Sequence, residues 1–250
     1  MLANINIEDK NYQIDLNQGI DLSFPLNHGE DNPKCFYAPD PNFEPVRTDT
    51  FVGSTQEGSP VNFFNVFFNP HGNGTHTECV GHIAKEKYLI NECLKDFFLL
   101  AKLIDIKVEK LENGDFRISE AMLRKKVKPN ENRALIIVSD IYAHFEGRDF
   151  SGLNPPYFEP KAIAYLRDCG IEHLLTDFPS VDRELDDGKL EAHKLFWDYP
   201  ENIRKNCTIT ELIFVKKGIK EGIYLLNMQV TNLSLDAAPS RPIIYKLNPI

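Results

Sequence analysis

Polar and apolar residues alternate over Asn4–Ile7 and again over Tyr12–Leu16, with Asp9-Lys10-Asn11 between them, which predicts an N-terminal hairpin. Ile20-Asp-Leu-Ser-Phe then leads into a Pro-, Asn- and Gly-rich stretch from about Pro25 to Pro60. A connection of that length is expected to be functional or packed by its own side chains, with Tyr37, Phe43, Phe51 and Val52 anchoring it or lining a pocket. Val61–Phe68 reads as an aromatic strand ending at Asn69-Pro70, with Phe63, Phe64 and Phe67 as candidate core residues and at least one face expected to be buried. Farther on, Ile90–Phe98 predicts a helix and Leu99–Val108 a strand. Ser119 starts a short helix to Lys126, with Met122 where a capping box carries Glu or Gln. Ala134–Val138 is a continuous apolar run typical of a buried strand. Pro160–Asp168 has helical spacing and stops before Gly170, His173–Thr176 is a strand, and Leu190–Trp197 is a helix. Ile209–Val215, Ile223–Val230 and Ile243–Leu247 complete the strands. Many strands with a few interspersed helices, and no repeat or compositional break, predict one mixed α/β domain over residues 1–250.

Composition narrows the function classes. Apolar residues make up 42% and charged residues 26%, an ordinary globular balance. The apolar run Phe97–Ile106 is broken by Lys102 and Asp105, short of the roughly 20 residues a membrane helix needs. The N-terminus lacks the basic-then-apolar order of a secretory signal, so a cytoplasmic location and no membrane partner are expected. A net charge of −9 with no basic stripe argues against nucleic acid as a partner. Five cysteines without a Cys-x-x-Cys pair argue against a disulfide framework and a thiolate zinc site.

The chemistry concentrates in His71-Gly-Asn-Gly-Thr-His76-Thr-Glu78-Cys-Val-Gly-His82. Three of the seven histidines (His28, His71, His76, His82, His144, His173, His193) fall in this stretch. Neutral imidazoles and a carboxylate suit Zn²⁺ or Mn²⁺. In an extended segment His76 and Glu78 face the same way, and in a helix Glu78 and His82 would share a face. Further ligands must come from elsewhere, with His193 and Glu211 as candidates. Glu211 lies in an apolar strand, where a charge needs a partner. Spacing alone makes His193 a half-exposed helix residue. The pattern is neither His-Glu-x-x-His nor a zinc-finger spacing.

Gly74-Thr-His76-x-Glu78-x-x-x-His82 resembles the His-x-Gly-Thr-His-x-Asp-x-Pro-x-His signature of the putative cyclase family, which includes bacterial kynurenine formamidases and isatin hydrolases. Ile20-Asp-Leu-Ser, Leu175-Thr-Asp177-Phe-Pro179-Ser180-Val-Asp182 and Ala238-Pro239-Ser-Arg241 match further family segments in order. The resemblance implies a swivelling β/β/α fold, one or two Zn²⁺ or Mn²⁺ ions, and hydrolysis of an amide, formamide or cyclic amide as small-molecule substrate. It also implies a homodimer or homotetramer. Carried over, His76 and Glu78 are metal ligands, His82 is the general base, and His193 and Glu211 complete the site. Asp177, Asp182 or Thr75 are candidates to orient the ligand imidazoles. The chain departs from the pattern in four places. The family's first histidine falls on Gly72, and His71 lies one residue earlier, so either the loop bulges to return His71 or a ligand is missing. Glu78 replaces aspartate, Val80 replaces proline, and Glu211 lies farther from His193 than is usual. A cyclase or dehydratase running the same site in the ring-closing direction, and a metal- or ligand-binding protein without catalysis, remain alternatives.

Overall fold

The computed structural model describes residues 1–7, 9–141 and 149–250; His144 lies outside them. Its strands are β1 (Leu2–Ile7), β2 (Lys10–Asp15), β3 (Ile20–Asp21), β4 (Asn42–Pro45), β5 (Phe64–Phe67), β6 (His76–Glu78), β7 (Phe98–Asp105), β8 (Glu109–Lys110) and β9 (Phe116–Ile118). They continue with β10 (Ala134–Val138), β11 (Tyr157–Phe158), β12 (His173–Thr176), β13 (Thr208–Glu211), β14 (Gly222–Asn227), β15 (Ala237–Pro239), β16 (Ile243–Lys246) and β17 (Asn248–Pro249). Nine of them form one sheet in the order β15-β6-β13-β12-β10-β7-β14-β16-β3. The central β13, β12, β10 and β7 run parallel, and antiparallel strands flank them on both sides, so the fold is mixed α/β as the pattern predicts.

Side-chain alternation along β10 shows why its apolar run is continuous. Leu135 and Ile137 enter one core with Ile163, Leu166, Phe196 and Trp197, whereas Ala134 and Ile136 enter a second with Leu103, Leu226 and Ile244. The strand is buried on both faces, so no polar position interrupts it. The helix Pro160–Asp168 supplies Ala162, Ile163, Tyr165 and Leu166 to the first core, an i, i+1, i+3, i+4 stripe. Its bounds, and those of β10 and β12, are the ones the sequence predicts. The helix Glu120–Arg124 begins after Ser119, whose N–H points at the Met122 sulfur 3.5 Å away, so a thioether stands where Glu or Gln usually accepts. The family segments Ile20-Asp-Leu-Ser and Ala-Pro-x-Arg meet at the β3 edge, where Arg241 Nε lies 2.7 Å from Asp21 Oδ2.

Two expectations are corrected. Val61–Phe68 contributes only the four residues of β5, paired with β4 in a two-stranded ribbon. Phe63, Phe64, Val66 and Phe67 are all at least 43% exposed, so neither face enters the core. Alternation signals a buried face only when a second layer covers it. The predicted helix Ile90–Phe98 stops after one turn at Cys93. Phe98 is drawn instead into β7 opposite Asn227, and Phe97 O accepts the Met228 N–H, so sheet pairing overrides helical spacing. Among the described residues no helix is long and apolar enough to cross a membrane.

Candidate metal centre

β6 brings His76 and Glu78 to one face of the sheet, with Thr77 turned away to meet Thr210. Glu211 lies directly opposite His76 on β13, and their side chains approach to 3.3 Å. This answers how an acid is tolerated in an apolar strand: Glu211 faces the site, and its other oxygen accepts the Val181 N–H at 2.9 Å. His193 is fully buried rather than half-exposed. It lies on the helix Glu191–Trp197, stacked 5.6 Å from the Trp197 ring. Its Nε2 lies 3.1 Å from Glu78 Oε1 and its Nδ1 2.6 Å from Asp182 Oδ2. Asp182 also accepts the N–H groups of Ala192 and His193, so one carboxylate caps the helix and fixes the ring it carries.

His71 returns to the site. Its Nδ1 lies 3.1 Å from Glu78 Oε2 and its Nε2 2.7 Å from Asp236 Oδ2. His82, on a short 3₁₀ turn over Val80–His82, places Nδ1 3.8 Å from Glu78 Oε2 and 3.6 Å from Asp236 Oδ2. Among the described residues, Asp182 is the candidate orienting residue that meets an imidazole. Asp177 accepts the N–H and hydroxyl of Ser139, and Thr75 donates to Leu212 O. Burial pushes the Asp177 carboxyl up to about 7.

Two buried atoms test whether a cation fits. Among the described residues, His76 Nε2 and Glu78 Oε2 have no hydrogen-bond partner. Their nearest approaches, 3.3 Å to Glu211 and 3.1 Å to His71, lack hydrogen-bond geometry. Leaving such atoms unsatisfied costs about 1–3 kcal/mol each. Ligand atoms of His71, His76 and Glu78 lie within 4.8 Å of one another, as do those of Glu78, His82 and His193 and those of His71, His82 and Asp236. Ligands of one tetrahedral Zn²⁺ stand about 3.4 Å apart, so modest side-chain shifts close such a set around an ion. The donors present fit a divalent cation.

Electrostatics point the same way. Burial alone would raise the Glu78 carboxyl, but His82, His193 and His71 hold it well below the usual carboxylate range. Burial alone would lower His71, and the carboxylates of Asp236 and Glu78 outweigh it, carrying the imidazole up to about 10. His193 is likewise raised, by Asp182 and Glu78 against its burial. His71 is therefore an imidazolium at pH 7–8 in protein stripped of metal, and an incoming cation must displace its proton. Metal affinity is expected to rise about tenfold per pH unit for each proton displaced. Calorimetric titration in buffers of different ionisation enthalpy counts those protons, and a buffer-independent heat would contradict the assignment.

A family model described as "Putative cyclase" matches residues 20–183. The chain belongs to this family. Solved structures with the same fold include a "predicted metal-dependent hydrolase" from Bacillus stearothermophilus, at 17% identity and TM-score 0.63, covering 91% of this chain and 98% of that one. Another is isatin hydrolase A from Labrenzia aggregata, bound to benzyl benzoate, at 13% identity and TM-score 0.65, covering 91% of this chain and 93% of that one. An isatin hydrolase bound to the product analogue thioisatinate aligns at 15% identity and TM-score 0.61, covering 92% and 93%. A sequence comparison with curated proteins finds no match.

In this cyclase-family chain the loop before β6 leaves no room for a side chain at position 72. A Cβ on Gly72 would stand 2.2 Å from the Ala38 Cβ. The long 25–60 segment thus occupies the space that a side chain at 72 needs, and the imidazole comes from residue 71. Asp236 is the acid that the motif reading missed. It directly precedes β15, a three-residue strand too short for a periodicity signal, and lies two residues before the Ala-Pro-x-Arg segment.

Proposed function

We propose that this chain is a metal-dependent hydrolase of an amide, formamide or cyclic amide. The observation carrying the reading is the pair of buried ligand atoms that accept no hydrogen bond among the described residues, His76 Nε2 and Glu78 Oε2, facing further imidazoles and carboxylates. Family membership and neighbours described as isatin hydrolases support the same chemistry. His71, His76, Glu78, His193 and Glu211 would hold one or two Zn²⁺ or Mn²⁺ ions. When bound, such an ion supplies Lewis acidity toward a carbonyl and brings water ionisation near neutral pH.

The chain's own residues do the rest. Glu78 reaches His193 with one oxygen and His71 with the other, so its longer arm ties both halves of the donor set together. Asp182 holds the His193 ring. His82 is 29% exposed at the side chain, unlike the buried His76 and His193, and so can meet both solvent and substrate. In the proposed reaction it takes a proton from the attacking water and returns it to the leaving nitrogen. The C–N bond breaks, and a carboxylic acid and an amine result.

The test has two stages. Metal content is measured first, with thermal melts of EDTA-treated and Zn²⁺- or Mn²⁺-loaded protein. At a hundred times Kd the ion stabilises by about 2.7 kcal/mol, a rise of about 5–11 °C for a chain of this size. Identical melts with no copurifying metal would sink the reading. Formamides, lactams and lactones are then assayed in both directions, and net ring closure would favour the cyclase alternative.

A further inference from the structure

Asp236 is an acid at the centre that neither the residue spacing nor the family resemblance assigns. Its surroundings are specific. Asp236 Oδ2 lies 2.7 Å from His71 Nε2, whereas His82 Nδ1 is farther, at 3.6 Å. The opposite nitrogen of the His71 ring, Nδ1, faces Glu78 Oε2 and belongs with His76 and Glu78 to a set of mutually close ligand atoms. The two ring nitrogens are thus divided, the inner one toward the donor cluster and the outer one toward Asp236.

The backbone is arranged to bring this acid in. Ala237 pairs with Glu78 across β15 and β6, and Asp236 O accepts the Cys79 N–H at 3.0 Å, so Asp236 enters the site from the strand beside the ligands. Gly81 makes room for it. A Cβ at 81 would stand 3.0 Å from the Asp236 Cβ and 2.2 Å from Tyr88 O.

We propose that Asp236 is a positioning residue of the metal centre, accepting the Nε2–H of His71 and thereby presenting Nδ1 as the ligand atom. This rests on the metal-centre reading above and deepens it. A carboxylate behind a ligand imidazole fixes the tautomer and the ring orientation, and loss of such a partner costs 10–100-fold in metal affinity.

The experiment measures Zn²⁺ affinity and stoichiometry against a competing chelator, with no substrate present, for wild type, Asp236→Ala and Asp236→Asn. Long-range ¹H–¹⁵N spectra of the loaded proteins report the His71 tautomer. Asp236→Ala should bind Zn²⁺ 10–100-fold more weakly at unchanged stoichiometry. Asp236→Asn, whose amide oxygen still accepts the Nε2–H, should recover most of that loss, and wild type should show His71 protonated at Nε2. Wild-type affinity in Asp236→Ala, or His71 protonated at Nδ1, overturns the positioning role while leaving the metal centre intact. Loss of a whole equivalent of Zn²⁺ in both variants makes Asp236 a direct ligand and also overturns it. Wild type that binds no Zn²⁺ removes the metal-centre reading itself.

Discussion

His82→Ala should keep its metal and lose turnover by about 10²–10⁴-fold, the range a positioned general base contributes. That is about 3–5 kcal/mol of barrier. The expectation follows from how His82 is held. His76, Glu78 and Glu211 are fixed by β6 and β13, and His193 by its helix and Asp182. His82 stands on a three-residue 3₁₀ turn, with its ring 4.3 Å from that of His71 and 5.2 Å from that of His193. Removing it leaves the buried ligand atoms His76 Nε2 and Glu78 Oε2 where they are. Metal content by mass spectrometry and kcat on the best substrate of the panel are measured on the same preparation. Wild-type turnover would remove the assigned role. Loss of metal together with turnover would move His82 into the ligand set, which its closeness to Glu78 and His193 also permits.

Where the sequence was legible, local and tertiary signals agreed. β10, β12 and the helix Pro160–Asp168 have the predicted bounds because their burial and their periodicity point the same way. The same holds for His76 and Glu78, whose two-residue spacing in a strand is enough to align them. His71 was open in the sequence because the answer depends on Ala38, more than thirty residues earlier, filling the space above Gly72. Asp236 was invisible for a similar reason. Its role exists only because β15 pairs with β6, and three residues carry no periodicity. The aromatic ribbon Phe64–Phe67 misled because alternation records which residues would share a face, not whether anything covers it.

Glu78→Gln carries the second large effect. The substitution preserves length and volume, so the change is the loss of one buried negative charge that three histidines face. Metal affinity should fall by more than the 10–100-fold expected when only a residue behind a ligand is lost. A Gln variant with wild-type affinity would take Glu78 out of the centre. The EDTA-treated protein offers an independent readout. Removing one partner of a buried ion pair costs about 3–5 kcal/mol, on the order of 10 °C in Tm for a chain of this size. Here the partners are imidazoles, which can escape the cost by shedding protons, so the penalty must depend on pH. His71 is raised from 6.5 to about 10 in the folded protein. Its pairing with carboxylates therefore contributes fully below pH 6.5 and is lost as pH rises toward 10. The Glu78 carboxyl is held below 4.5, so its own contribution is present above that value and fades in stronger acid. The difference in Tm between wild type and Glu78→Gln should accordingly be largest near pH 5–6 and shrink steadily toward pH 10. A difference independent of pH would mean that Glu78 stabilises the fold through packing, and that the imidazolium–carboxylate cluster is not what holds the metal-stripped site together.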